Sequence, residues 1–397
     1  MKMVKGRMLQ GARAMAEMCA LCRPKVISAY PITPQTLIVE ELSQIVADGD
    51  LEAEFINVEG EHSAASVVLG AAAVGVRVFT CSSSQGLLLM SEVIFNIAGM
   101  RLPVVMICVN RSVSAPLNIW NDQQDSIIMR DSGWIQLYAE NNEETCDLLL
   151  QAHKIAEDHR VMLPAMVCCD GYVLPHAYEI VDLPSQAEVD AFLPPYDPIY
   201  KLDIDNPTTM GAFADPEKYM ETRYMIQETM NKSLSVIEEV ARDFGSSFGR
   251  SSYGLFEKYR VDDASTVVVA LGSMAGTVKD VVDELRDQGE KVGILRLICY
   301  RPFPKEALYE ALSAAENIVI MEKDISLGGS GAVATDMRAV FYGREACPRI
   351  SGFILGLGGR DITVDDIKTT ISKAQHQVAD ADFVGLKEDL ELEGING

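Results

Sequence analysis

Apolar positions along this chain follow two alternating rhythms. Short apolar runs at 26–29, 55–58, 76–81, 104–109 and 161–169 have the length and aliphatic content of strands. Between them, residues 6–21, 37–48, 62–75 and 87–98 read as helices from their spacing and small apolar content. Thr33-Pro34 has a helix-start signature, a hydroxyl cap followed by proline at the first helical position. Apolar strands alternating with helices predict an α/β fold whose parallel sheet is covered on both faces. Ligands of such sheets collect at the carboxyl ends of the strands. Segments 30–34, 59–61, 82–86 and 110–125 each follow a predicted strand, so one shared edge is expected for them.

The rhythm breaks at 184–215. Pro194-Pro195-Tyr196-Asp197-Pro198 and Asp205-Asn206-Pro207 punctuate a stretch without clear periodicity, read as a long connector. Residues 216–244 regain helical spacing with mixed charge. A second alternating unit begins near Ala264, with strands predicted at 266–271, 292–297, 318–321 and 350–355 and helices from Thr277 and Pro304. The expected organisation is one α/β unit at 1–190, a connector with a helical segment at 191–262 and a second α/β unit at 263–397.

Composition narrows the function classes. The chain has 397 residues, 48% of them hydrophobic and 23% charged, an ordinary globular mixture long enough for two or three cores. With 34 basic and 58 acidic residues the net charge is -24, a field that repels nucleic acid and anionic membrane, so neither is expected as a partner. The same field repels an acidic electron carrier, which is expected to dock elsewhere. Residues 1–11 are basic and lack the apolar core of a signal peptide, and apolar stretches such as 102–109 are too short to span a bilayer. The cytoplasm is the expected compartment. Nine scattered cysteines, an odd count, argue against a disulfide framework. Cys168 and Cys169 lie in an apolar run and are read as core. Cys19-Ala20-Leu21-Cys22 is a lone CxxC without the second pair that a cluster site requires, so no metal site is assigned to this chain.

Three residues stand out chemically. Glu61 sits in Asn57-Val58-Glu59-Gly60-Glu61-His62-Ser63, where an apolar run meets a small-residue helix whose field favours a carboxylate. The plainer alternative is that Glu59 and Glu61 only cap that helix. Thr33 lies in a loop stiffened by Pro31 and Pro34, where its hydroxyl either faces a ligand or caps the next helix. Arg111 directly follows the apolar run 104–109, and its guanidinium fork suits a carboxylate ligand; an ion pair with Asp122 or Asp125 is the alternative. Ser82-Ser83-Ser84-Gln85-Gly86 and Gly328-Gly329-Ser330-Gly331 match no phosphate-loop or dinucleotide signature. Gly272-Ser273-Met274-Ala275-Gly276 follows a strand and opens a helix, which makes it an anion-site candidate, with tight-turn packing as the alternative. His62 is either an acid/base partner of Glu61 or a surface residue, and no nucleophile elbow is present.

Taken together these motifs match a known family. The run Ala29-Tyr30-Pro31-Ile32-Thr33-Pro34-Gln35-Thr36 resembles the signature of 2-oxoacid:ferredoxin oxidoreductases, in particular the alpha subunits of multi-subunit pyruvate:ferredoxin oxidoreductases. The likeness continues through Glu59-Gly60-Glu61-His62-Ser63-Ala64, Ser83-Ser84-Gln85-Gly86-Leu87, Asn110-Arg111-Ser112 and Ile119-Trp120-Asn121-Asp122. It extends to Arg301-Pro302-Phe303-Pro304 and Gly356-Leu357-Gly358-Gly359-Arg360-Asp361.

The resemblance implies a thiamine pyrimidine-binding domain followed by a domain like the transketolase C-terminal one. It implies thiamine diphosphate shared with a beta subunit, with Mg2+ and 4Fe–4S clusters on partner subunits. Gamma and delta subunits, ferredoxin, pyruvate and coenzyme A complete the implied set. Glu61 matches the glutamate that contacts the aminopyrimidine ring, and Pro31, Ile32, Ser84 and Gln85 fall at further cofactor-binding positions. Thr33 and Arg111 match positions that contact the oxoacid, Arg111 on its carboxylate. Many relatives carry Ser where this chain has Gly60, and His where it has Gln123-Gln124, differences that bear on substrate choice. The alternatives are a branched-chain or other 2-oxoacid, a non-redox thiamine enzyme and a non-catalytic scaffold; the missing G-D-G diphosphate motif weighs against a self-contained enzyme.

Overall fold

A computed structural model describes residues 6–251 and 253–387. The first eight strands are β1 (Arg7–Gln10), β2 (Val26–Ala29), β3 (Glu54–Asn57), β4 (Val78–Ser82), β5 (Val105–Asn110), β6 (Ile135–Tyr138), β7 (Ala165–Asp170) and β8 (Tyr178–Val181). The remainder are β9 (Phe256–Tyr259), β10 (Thr266–Ala270), β11 (Val292–Leu297), β12 (Cys299–Arg301), β13 (Asn317–Glu322), β14 (Arg349–Ile354) and β15 (Asp382–Phe383). They form a seven-stranded sheet of order β12-β6-β7-β5-β4-β2-β3, a six-stranded sheet of order β15-β14-β13-β10-β11-β9, and the β1-β8 ribbon. Both larger sheets are parallel except for one antiparallel edge strand each, β12 on β6 and β9 on β11. The α/β class with parallel sheets read from the apolar rhythm is the class observed.

Sequence position in the sheet follows polarity. Every residue of β5 and β7 is buried, as continuous apolar runs require in a sheet covered on both faces. β3, with Glu54 and Asn57 at its ends, is mostly exposed and lies at the edge.

Several elements differ from the sequence reading. Residues 6–21 are not one helix: β1 pairs with β8, and the helix starts at Gly11. A Cβ at Gly11 would lie 2.1 Å from the Leu174 carbonyl oxygen, so the chain enters this helix against another backbone. The helix expected at 87–98 is two, Ser84–Leu89 and Ser91–Gly99, and the first begins inside the segment read as a loop. The helix Asn142–Glu157 escaped the periodicity because it is buried on nearly every side and carries buried polar residues Asp147, Gln151 and His153, which erase an apolar stripe. The helical stretch at 216–244 is a 33-residue helix, Pro216–Phe248, whose Asp215 cap accepts from the Glu217 N–H and whose end is the left-handed Gly249 (φ 66°).

The two large sheets interlock. β12 leaves the second unit to pair with β6 of the first sheet, Cys299 opposite Leu137. One apolar cluster joins Met106, Tyr138 and Met166 to Val267, Leu295, Tyr300 and Ile318. Beside it Arg296, nearly fully buried, makes two 2.9 Å bonds to Glu144 and one to Glu257. Taking these charges from water costs several kcal/mol per ion, roughly, unless each is paired as here.

Candidate active site

The carboxyl ends of β2, β3, β4 and β5 release four loops on one edge, where the sequence reading expected them. Glu61 is the first residue of the helix Glu61–Ala73, behind an extended Gly60 that provides no side-chain cap. Neither glutamate caps this helix through a side-chain hydrogen bond among the described residues, and the two differ in their surroundings. Glu59 is exposed and accepts from the Ser63 hydroxyl at 2.5 Å, which holds its carboxyl below the usual range. Glu61 is 7% exposed, and among the described residues its carboxylate has no hydrogen-bond partner. A Cβ at Gly86 would lie 2.6 Å from Glu61 Oε1 and 2.6 Å from Ser82 Oγ, so both groups press on the same bare backbone. Ser82 Oγ is buried and unpartnered as well. Buried polar atoms without partners are costly, and their concentration at one point marks a place for a ligand.

Arg111 is 6% exposed. Its Nε donates to the Asn118 carbonyl at 2.8 Å and its Nη1 to the Thr33 carbonyl at 2.9 Å. The expected alternative, an ion pair with Asp122 or Asp125, is not what forms: Asp125 instead accepts from the Arg111 backbone N–H at 3.0 Å. Burial lowers the guanidinium's pKa, and the nearby Asp125 charge opposes that shift. A buried cation held by carbonyl oxygens rather than by a carboxylate keeps surplus positive charge for an anion.

Thr33 and Arg111 are thus directly linked, through the Thr33 carbonyl. The Thr33 hydroxyl is exposed and has no partner among the described residues. It does not cap the next helix, as the Thr-Pro signature suggested. That helix starts at Thr36 behind Gln35, whose buried amide donates to the Cys81 carbonyl at 2.8 Å and the Tyr30 carbonyl at 3.2 Å. Gln35 so fastens the whole 30–35 loop to β4, with Pro31 exposed and Ile32 half-buried on it.

Ser84 and Gln85 turn toward the 112–114 segment. Ser84 Oγ donates to the Ser112 carbonyl at 2.5 Å, and Gln85 Nε2 to the Ser114 carbonyl at 3.4 Å. Ser84 adopts a left-handed backbone (φ 48°), secured by its N–H donating to Asp125 Oδ2 at 2.8 Å. Asp125 is fully buried and also accepts from Asn110 Nδ2 at 2.7 Å and the Ser126 N–H at 2.8 Å. Burial pushes its pKa up while these donors pull it down. Sequence reasoning named Asp125 only as a partner for the Arg111 side chain. No local pattern signals that one carboxylate knots two loops, because the donors are 41 and 14 residues away.

The other candidates lie apart. His62 is exposed, 3.8 Å from Glu92. The helix opened by Gly272-Ser273 does receive an anion, from within: Asp170 accepts from the Ser273 N–H at 2.9 Å and hydroxyl, and pairs with Lys323 at 2.8 Å. A Cβ at Gly331 would overlap Glu322, whose carboxylate accepts from the Val333 N–H at 2.7 Å. Cys19 and Cys22 are buried, and burial pushes Cys22 up to about 12.

Comparison with known proteins shows the family of the chain. Residues 17–242 match the family described as "Pyruvate flavodoxin/ferredoxin oxidoreductase, thiamine diP-bdg", and residues 264–367 match "Pyruvate:ferredoxin oxidoreductase core domain II". The chain is 47% identical over 385 residues to the pyruvate synthase subunit PorA of Methanothermobacter thermautotrophicus, covering 97% of this chain and 99% of the relative. It is 49% identical over 389 residues to PorA of Methanosarcina barkeri, covering 96% and 97%. It is 44% identical over 363 residues to the ketoisovalerate oxidoreductase subunit VorA of Pyrococcus abyssi, 91% of each chain. Among solved structures, the fold resembles that of a 2-oxoglutarate:ferredoxin oxidoreductase from Magnetococcus marinus, with a TM-score of 0.71 at 20% identity, covering 93% of this chain and 65% of that longer one. A split-gene transketolase matches with a TM-score of 0.54 at 14% identity, covering 92% of this chain and 96% of that one. By the match over most of its first 242 residues and by relatives nearly half identical along almost its whole length, the chain belongs to the pyruvate flavodoxin/ferredoxin oxidoreductase family.

Proposed function

We propose that this chain is the alpha subunit of a thiamine-diphosphate-dependent pyruvate:ferredoxin oxidoreductase and contributes the pyrimidine-facing half of its active site. Pyruvate and coenzyme A become acetyl-CoA and CO2, with electrons leaving through iron–sulfur clusters to ferredoxin. The observation that carries this reading is the juxtaposition on one sheet edge of a buried carboxylate, Glu61, with a buried cation, Arg111, neither of which has an ion-pair partner among the described residues.

The residues present fit the cofactor. Glu61 and Ser82 offer unsatisfied polar atoms over the bare backbone of Gly86, the kind of cradle an aminopyrimidine ring requires. Bound thiamine diphosphate supplies the nucleophilic carbon and the electron sink that release of CO2 from a 2-oxoacid needs. Glu61 would hydrogen-bond the pyrimidine ring, and Pro31 and Ile32 would stand beside it. Ser84 and Gln85 hold the adjoining loop against residues 112–114. Arg111 takes the oxoacid carboxylate with its remaining N–H groups, and the Thr33 hydroxyl donates to the same substrate. Fixing the substrate in this way is worth up to about 7–11 kcal/mol in favourable intramolecular cases.

In this reading residues 1–190 are the pyrimidine-binding unit, 191–262 the connector and 263–397 the transketolase C-terminal-like unit. A beta subunit anchors the diphosphate with Mg2+ and carries a 4Fe–4S cluster, and gamma and delta subunits complete a cytoplasmic complex. Among the described residues no helix is long and apolar enough to cross a membrane. A second reading, the same chemistry on a branched-chain 2-oxoacid, is favoured by the 44% identity to the ketoisovalerate oxidoreductase subunit.

The test is a panel of 2-oxoacids offered to the purified complex, with viologen reduction as readout. Pyruvate is expected to give the highest kcat/KM, and the isolated chain is expected to be inactive. A preference for 2-oxoisovalerate would move the assignment to the second reading, and no reduction with any oxoacid would reject both.

A further inference from the structure

The residues around Arg111 form a closed loop that is moulded by the other half of the chain. At its base the Ser112 N–H donates to the Trp120 carbonyl at 3.1 Å, and Arg111 Nε donates to the Asn118 carbonyl at 2.8 Å. At its far side the loop lies on the turn 356–359 of the second unit. Asn118 Nδ2 donates to the Gly358 carbonyl at 3.0 Å, the Gly359 N–H to the Asn121 carbonyl at 2.6 Å, and the Gly358 N–H to Asp122 Oδ2 at 3.1 Å. The turn has left-handed glycines at Gly356, Gly358 and Gly359. They leave room for the approach: a Cβ at Gly358 would lie 2.6 Å from Asn118 Nδ2, and one at Gly359 would lie 2.4 Å from the Trp120 Cβ. Glycine at both positions leaves the space that the Asn118 and Trp120 side chains occupy.

Asn118 is the hinge of the arrangement. Its carbonyl receives the Arg111 guanidinium, its amide nitrogen is tied to Gly358, and its Oδ1 accepts from the Trp120 N–H at 2.7 Å. Resting on the reading of Arg111 as the substrate clamp, we propose that the glycine turn of the second unit is the template that aims Arg111 at the oxoacid, with Asn118 as the positioning residue between them. Among the described residues the guanidinium has two acceptors, Asn118 and Thr33, both backbone carbonyls, so its direction is set by where those carbonyls stand. One of the two is placed by the second unit, which gives that unit a share in substrate recognition although among its described residues no side chain bonds the clamp.

The test uses three variants of the assembled complex. Asn118→Ala removes both amide bonds. Asn118→Ser keeps a short acceptor for the Trp120 N–H but cannot reach Gly358, so it separates the local turn from the link between units. Arg111→Lys, which loses the planar fork, is the reference for the clamp itself. The clamp acts on the carboxylate in the bound oxoacid, so its misplacement should appear first in KM. Arg111→Lys, Asn118→Ala and Asn118→Ser are each expected to raise KM for pyruvate about tenfold or more, with kcat changed by less than about threefold in the two Asn118 variants. Thiamine diphosphate affinity, read from the shift in melting temperature on titration, is expected to stay within about twofold in those two. If Asn118→Ser restores wild-type KM, or if both Asn118 variants leave KM unchanged while Arg111→Lys raises it, the template is overturned and the clamp stands. If Arg111→Lys itself leaves KM unchanged, the clamp fails and the template with it. Should Asn118→Ala not assemble, Asn118→Ser alone decides.

Discussion

The two parallel sheets of this molecule reach the same topological opportunity and use it in opposite ways. In the first, β3 and β4 flank β2 on either side, so chain order reverses beside β2; in the second, β11 and β13 flank β10 and order reverses there. Such switch points open a crevice at the carboxyl ends of the strands. At the first sheet the crevice holds polar groups without partners among the described residues: the Glu61 carboxylate, the Ser82 hydroxyl and the free face of Arg111. At the second the crevice is closed by the chain itself. Asp170, at the end of β7, reaches across to the Ser273 N–H and to Lys323, and Lys323 also donates to Asn121 at 2.8 Å. Topology therefore offers a crevice twice, and in the second an ion pair of the chain itself, Asp170 with Lys323, occupies it, although Gln123 Oε1 beside Asp170 stays buried without a partner among the described residues. Substitutions at the open crevice should alter activity more than stability, and substitutions at the closed one should do the reverse.

The largest effect is expected at Glu61. In the assembled complex Glu61→Gln should lower turnover by about 100- to 10,000-fold, the range of an acid–base contact, with assembly and melting temperature close to wild type. Turnover near normal would remove Glu61 from the site. A loss of assembly would place it among the structural groups and blur the contrast.

At the closed crevice Asp170→Ala strands the buried Lys323 ammonium without its carboxylate. Breaking such a pair costs about 3–5 kcal/mol, seen as a lower melting temperature and poorer recovery of complex. The material that does assemble should keep its KM for pyruvate. An unchanged melting temperature with a raised KM would mean that the second crevice, too, serves the substrate.

The smallest effect concerns the seam between the two. Asp122 is buried, and burial, followed by the charge of Asp125, pushes its pKa up to about 7 from an ordinary 3.8, against the Gln124 and Gly358 N–H donors. A raised folded pKa means that the folded state holds a proton the unfolded chain gives up. The resulting stability is full below about pH 3.8 and is lost as pH rises through about 7. Melting temperatures measured from pH 4 to pH 8 should therefore fall less steeply in Asp122→Asn than in wild type. Identical slopes would show that Asp122 carries no proton at the seam.

Glu61, Thr33 and Arg111 were visible because each stands just past an apolar run, and strand exits share an edge in a parallel sheet. Whether each one binds a ligand or serves the fold was not visible. Glu59 and Glu61 are two residues apart and equally placed for a cap, yet Ser63 satisfies one and nothing described satisfies the other. Arg111 had two carboxylates within reach in the sequence and bonded two carbonyls instead. Asp170 gave no signal at all, since it ends a strand of the first unit and finds its partner 153 residues later.

The amino-acid order by itself determined the class of fold, the alternation of apolar strands and helices, and the edge on which chemistry would collect. Those follow from near neighbours, because backbone hydrogen bonding and burial impose fixed periods on any strand or helix. The tertiary structure alone decided which polar atoms were left without partners, that β12 would cross into the other sheet, and that Asp170 would fill one of two equivalent crevices. Such outcomes depend on contacts between residues far apart in the chain, and a hydrogen bond across that distance leaves no period in the sequence.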